Sequence, residues 1–233
     1  MVDQAILVAM VGGLLCLDRT VFQSMVSRPI VSAPIIGFLL HDPHTGLITG
    51  AFTELFWIDR SSIGAHVPPN DTLAAVVVTA VAIMSAQPLD HVPRELVALA
   101  FLVCLPVGWI GQRLDEWKIA KNERRVRQVV KEVSAGKAHA GDVARRHLQS
   151  LVYAYALDAL VLLAVLIPAQ MMLVGLYTMA PTPAMKALLI VYFLLPVIGV
   201  GVALNTIHIR GAIPFFCGLF LVVNLVLEML RPG

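Results

Sequence analysis

The chain has 233 residues, 58% of them hydrophobic and only 14% charged, where a soluble domain carries about 25% charged residues. A soluble core of this length cannot hide that much apolar side chain, so lipid must solvate part of it. The formal net charge of +2 excludes little, but the distribution of charge along the chain is informative.

The chain opens Met-Val-Asp-Gln, without the positive n-region of a secretory signal, and no A-x-A-like site follows Leu17. The first apolar run is therefore expected to be retained as a membrane helix. The apolar runs are Ala5–Leu17, Pro29–Leu40, Leu47–Ile58, Leu73–Ala86, Leu96–Gly111, Leu151–Ala180, Ala184–Leu204 and Ile213–Leu230. The first five reach only roughly two-thirds of the about 20 residues that a spanning helix needs. Some can extend through polar flanks; others are expected to be half-helices or re-entrant hairpins, tolerated where protein buries them. Short apolar segments interrupted by Gly or Pro point to the binding region of a transporter. Pro168 near the middle of Leu151–Ala180 predicts a kink or a break. The expected fold is an all-α polytopic integral membrane protein with about 6–9 membrane helical segments, including short broken or re-entrant hairpins.

Between Gln112 and Ser150 the character changes: from Arg113 to Arg146 lie ten of the chain's seventeen basic residues. Loops shorter than about 60 residues that are rich in Lys and Arg stay in the cytoplasm. Val126, Val129, Val130 and Val133 fall on one helical face, Gly136 ends that pattern, and Gly141-Asp142 looks like the entry to a second short helix. Such helices either lie solvated or on the lipid surface and fix topology, or dock a soluble partner. Three regions follow: membrane hairpins over 1–112, a basic cytoplasmic segment of amphipathic helices and loop over 113–150, and C-terminal membrane helices over 151–233.

The residues with chemical promise lie between Leu17 and Ala75. Gly46, Gly50 and Glu54 are spaced by four and share one helical face. The glycines allow a neighbouring backbone to come close, and Glu54 projects into that contact from an apolar run. A carboxylate inside a membrane costs about 2.5–3.5 kcal/mol on insertion scales, so it faces a cavity, a partner or a pathway. It is either a structural Glu satisfied by backbone or a basic neighbour, or a residue of the substrate path. A polar link from Asp59 to Thr72 follows. Pro68-Pro69 cannot continue a helix, and Asn70 or Asp71 is placed to cap the helix starting near Thr72. Helix starts of this kind also hold polar ligands in broken transporter helices, so capping and ligand contact both fit Asn70 and Asp71.

His66 reads as a polar lining or structural residue. The histidines form no HxxxH or HExxH pattern, and Cys16, Cys104 and Cys217 sit singly in apolar runs, so neither a metal site nor a disulfide frame is expected. No Ser/His/Asp arrangement, P-loop or dinucleotide fingerprint appears; no catalytic residue, cofactor or nucleic-acid partner is expected. Asp158, Arg210 and Glu228 are candidates for helix pairing, with Asp158 deepest in its run and without an assigned role.

Several pieces in order resemble the IIC component of the mannose–fructose–sorbose family of bacterial phosphotransferase permeases. They are Leu17-Asp18, Arg28-Pro29, the turn from Asp42 to Gly46, the apolar run carrying Glu54, and Ile63 to Ala74 (IGAHVPPNDTLA). His147 and Pro214-Phe215-Phe216 add weaker support. The resemblance implies a permease subunit in the bacterial cytoplasmic membrane that binds a hexose-like sugar together with a IID membrane subunit and moves it by an elevator-like motion. It also implies that a soluble IIB protein, supplied through IIA, phosphorylates the sugar, so the phosphoryl-transfer residues lie on other chains, and that the chain works in an oligomer. Glu54, Asn70 and Asp71 fall where the family places polar residues facing the sugar, with His66 and Ser62 as second choices. Two departures stand out. The family favours an acidic pair after the double proline, where this chain has Asn70 first, and small or apolar residues where it has Asp59-Arg60. Asn can still hydrogen-bond sugar hydroxyls. The competing readings are a scaffold or sensor that docks phosphotransferase proteins without carrying a sugar, and a permease with different coupling.

Overall fold

The computed structural model describes residues 2–59, 66–87, 89, 91–135, 140–206, 211, 214–216, 218–219 and 222. Arg60, Ser62, Arg210, Cys217 and Glu228 lie outside these residues. Among the described residues the regular structure is helical, in eight helices: α1 (Val2–Thr20), α2 (Pro29–Leu39), α3 (Pro43–Trp57), α4 (Asp71–Ser85), α5 (Arg94–Cys104), α6 (Val107–Ser134), α7 (Ala140–Met179) and α8 (Thr182–Thr206).

Helices α2 and α3 form a tight hairpin. The turn passes through His41 in the left-handed region at φ 68°, and Asp42 then caps α3 by accepting from the Thr45 N–H at 3.0 Å. The small-residue face places the two backbones in direct contact. A Cβ on Gly46 would lie 2.7 Å from the Ala33 carbonyl oxygen and 3.0 Å from Gly37 Cα, so no side chain fits there. With eleven residues, α2 is about 16 Å long, well short of a hydrocarbon core of about 30 Å. The second, third and fourth runs are thus short helices folded against one another, whereas the first extends through its polar flanks into the 19-residue α1.

Helix α4 is the centre of the molecule. Every residue from Thr72 to Ser85 is buried, as expected of a helix apolar on all sides. It packs against α1, α2, α3, α5, α6 and α7. Its one mid-helix polar group is matched: the hydroxyls of Thr79 and Thr49 lie 2.7 Å apart. At its far end the Gln170 side chain of α7 donates to the Met84 carbonyl at 3.1 Å.

Three segments are long and apolar enough to cross a membrane: Arg94–Ser134, which runs through α5 and α6, Gly141–Met179 and Thr182–Asn205. Their outward sides carry exposed apolar residues such as Leu160, Met171 and Ile190, a surface that suits lipid or an apolar partner. The chain is an integral membrane protein. Pro168 does not break α7, which continues from Ala140 to Met179; neighbouring helices satisfy freed backbone groups in membrane helices. The entry at Gly141-Asp142 likewise begins no short separate helix but the first turn of this same 40-residue rod. At about 60 Å it is twice the hydrocarbon thickness, so part of it stands clear of the lipid core.

Candidate functional site

The polar residues gather where α1 ends and α2 and α4 begin. Asp18, buried at the end of α1, accepts from the backbone N–H of Ser24 at 2.9 Å and of Ser27 at 3.0 Å. These bonds hold a link that takes Gln23 and Met25 through left-handed conformations, at φ 51° and 66°. Residues with a Cβ enter that region only where surrounding contacts over-determine it. Next to Asp18, Arg19 reaches α4: its guanidinium is 2.6 Å from the Asp71 carboxylate and donates to the carbonyls of Pro68 and Pro69 at 3.3 and 3.1 Å. Gln112 of α6 donates to the Val67 carbonyl at 2.6 Å. The double-proline segment is therefore strapped down through its carbonyls.

Asn70 caps α4, its side-chain oxygen accepting from the Leu73 N–H at 2.9 Å. The amide nitrogen of the same side chain donates to Asp115 at 2.9 Å, and the backbone N–H of Asn70 donates to the Gly108 carbonyl at 2.8 Å. Only 1% of the residue is exposed. Gly111 makes room for it, since a Cβ there would lie 2.5 Å from the Asn70 Cβ.

Glu54, from α3, sits beside the start of α2. One carboxylate oxygen pairs with Arg28 at 3.0 Å, and the other is 3.4 Å from the Ile30 N–H, a long contact at the positive end of the α2 dipole. Glu54 and Asp71 are both tied to the Ser27–Arg28 step. Arg28 holds Glu54 directly, while Thr72, the neighbour of Asp71, donates its hydroxyl to the Ser27 carbonyl at 2.7 Å. Both carboxylates keep partial access to the surroundings, with 18% of the Glu54 and 24% of the Asp71 side chain exposed. The result is a partly open polar cluster: two carboxylates, each oriented by an arginine, beside two helix N-termini. Such groups can accept hydrogen bonds from hydroxyls of a neutral ligand.

A second cluster lies deeper. Lys118 of α6 is 2.7 Å from Asp115 on its own helix and 2.8 Å from Asp158 on α7. Asp158 is 1% and the Lys118 side chain 11% exposed. Asn70 joins this triad to the start of α4 through Asp115. Among the described residues no group of three His, Cys, Asp or Glu is placed to hold a metal ion.

Of the residues singled out in the sequence, Glu54, Asn70 and Asp71 are brought into one neighbourhood. Asn70 proves to be the buried cap and Asp71 the more accessible neighbour. His66 lies exposed at the outer edge of the strapped segment, and Ser62 is outside the described residues. Arg19, Arg28, Asp115 and Lys118 were not foreseen as site residues. For the first two, the signal was a charge at each end of a short link between apolar runs.

The family model for the sorbose-specific IIC component of the phosphotransferase system matches residues 2–231. The chain belongs to this family. Its relatives include the putative N-acetylgalactosamine permease IIC component 2 of Escherichia coli K12, 31% identical over 103 residues, 42% of this chain and 77% of that one. The sorbose-specific EIIC component of Klebsiella pneumoniae is 24% identical over 190 residues, 81% of this chain and 68% of the relative. That of Lacticaseibacillus casei is 28% identical over 111 residues, 48% of this chain but only 37% of the relative. Among solved structures, a mannose transporter in complex with microcin E492 superposes with a TM-score of 0.60 at 20% identity, covering 100% of this chain and 88% of that one. A further membrane protein gives 0.69 at 20% identity, covering 100% and 97%. At that identity the likeness supports the fold of the IIC family.

Proposed function

We propose that the chain is the translocating IIC subunit of a mannose-type phosphotransferase permease in the bacterial cytoplasmic membrane, importing a hexose-like sugar that separate soluble subunits phosphorylate. The observation that carries this reading is the partly open Arg28–Glu54 and Arg19–Asp71 cluster beside the starts of two short helices, in a chain matched almost end to end by the IIC family. Glu54 and Asp71 accept hydrogen bonds from sugar hydroxyls. Asn70, whose side-chain amide is committed to the α4 cap and to Asp115, sets the position of Asp71 and meets sugar only if that cap opens. His66 and Ser62 belong to the segment that leads into the cluster and complete the proposed set.

The partners are a IID-like membrane subunit, for which the exposed apolar sides of α7 and α8 offer a surface, and the soluble IIB and IIA proteins. The basic arm over 113–150 faces the cytoplasm by the positive-inside rule. The test is uptake of a panel of radiolabelled hexoses by cells expressing the chain with the IID and IIB partners. Accumulation of sugar phosphate that depends on phosphoenolpyruvate is expected. Accumulation of free sugar would indicate other coupling, and an assembled complex that admits no hexose would defeat the permease reading.

A further inference from the structure

Helices α6 and α7 run antiparallel on either side of residues 136–139 and meet more through long side chains than through backbone. Stepping outward, Glu132 pairs with Arg146 at 2.6 Å, Arg125 donates to Ser150 at 3.3 Å, Lys121 donates to the Tyr153 hydroxyl at 2.7 Å, and Lys118 meets Asp158. Between these rungs, beside Val21 just after the end of α1, lies a cavity of about 190 Å³, far more than the about 10–15 Å³ that one water needs.

Its charge is unbalanced. The Lys121 ammonium lies 4.1 Å and the Arg125 guanidinium carbon 5.1 Å from the Tyr153 ring centroid. Two cations four residues apart on one helical face repel each other, and here they converge on the same ring. Among the described residues neither forms an ion pair, while Lys118, Arg127 and Arg146 on the same two helices each hold a carboxylate. Asp115, which also borders the cavity, is committed to Lys118 and Asn70; its triad with Lys118 and Asp158 carries one surplus negative charge, which offsets one of the two cations and leaves the surroundings net positive. His147 adds a further nitrogen at the rim and no negative charge. An anion is the missing element.

The setting favours a lipid over a free ion. The Trp117 and Tyr153 rings lie 6.0 Å apart, where the polar half of α6 faces the beginning of the apolar run of α7. Trp and Tyr mark the headgroup level of a bilayer, and basic pockets between membrane helices bind phospholipid headgroups. Val21, Ile119, Leu151 and Ala154 line the rest of the cavity, and Ile119 remains half exposed there. A free phosphate gains nothing from these side chains; an acyl chain does.

We propose that the α6–α7 cavity binds the phosphate of an anionic phospholipid, with Lys121 and Arg125 as its cationic contacts and Ile119 and Leu151 along its acyl chain. This site is separate from the polar cluster at α2 and α4. The test is native mass spectrometry of the full chain in detergent, titrated with phosphatidylglycerol or phosphatidylcholine. Wild type is expected to prefer phosphatidylglycerol by about thirtyfold, Lys121→Gln with Arg125→Gln to abolish the preference, and Arg125→Gln alone to lower it about fivefold. Arg124→Gln with Lys131→Gln, an equal charge change elsewhere on α6, is expected to retain it. Equal affinity of wild type for the two lipids, or equal loss in both double variants, would overturn the proposal. Displacement of phosphatidylglycerol by millimolar inorganic phosphate would show instead that the pocket takes a small soluble phosphate compound.

Discussion

Among the described residues, two ionic clusters are built on opposite plans. At the starts of α2 and α4, each carboxylate meets one arginine, and both pairs are partly open: the Arg28 side chain is 49% exposed, against 18% for Glu54. Between α6 and α7, one lysine serves two carboxylates, and all three are almost sealed. Pairs at an exposed boundary contribute little to stability, so their geometry can serve a ligand. A sealed cluster is a different matter, because removing one member strands a charge away from water. The first arrangement fits substrate contact. The second clamps α6 and α7 and, through Asn70, anchors the start of α4 on which Asp71 sits.

Substitutions should separate the two. Lys118→Met leaves Asp115 and Asp158 buried without their cation and is expected to destabilise the fold by about 3–5 kcal/mol, read as loss of the folded protein in detergent thermal unfolding. Asp158→Asn leaves a one-to-one pair and should cost clearly less; equal costs would contradict the sealed-triad picture. Gly46→Ala drives a methyl against the Ala33 carbonyl and is expected to cost about 1–3 kcal/mol by splaying the hairpin, with sugar uptake falling alongside as Glu54 moves. Asn70→Ala removes the α4 cap and one partner of Asp115, a loss of about 1–2 kcal/mol. Arg28→Gln should change stability by less than about 1 kcal/mol yet reduce transport per molecule, because Glu54 loses the group that orients it.

Much of the first cluster is legible in the sequence. The four-residue spacing of Gly46, Gly50 and Glu54 describes the close hairpin face, Asp42 and Thr45 the turn, and Pro68-Pro69-Asn70-Asp71 the cap of α4. These are local signals, and local geometry decides them. The second cluster could not be read in the same way. Lys118 stands among ten basic residues that look alike when the segment is treated as a solvated loop, and its partner Asp158 is forty residues away. The pairing appears only once α6 and α7 are taken as one antiparallel helical hairpin, which puts Lys118 level with Asp158 and Lys121 level with Tyr153. Reading Gly141-Asp142 as the start of a short helix concealed that register. Nor does an apolar pattern reveal which prolines break a helix; Pro168 sits inside α7, which continues through it, as membrane helices allow.

The most direct test of the division between the clusters is sugar-phosphate accumulation per assembled molecule in Glu54→Gln, with membrane abundance and thermal midpoint measured in the same preparation. A large loss of accumulation with abundance and midpoint near wild type is the expected result. Wild-type accumulation per molecule in this variant would remove Glu54 from the sugar path and contradict the assignment of the open cluster to the substrate.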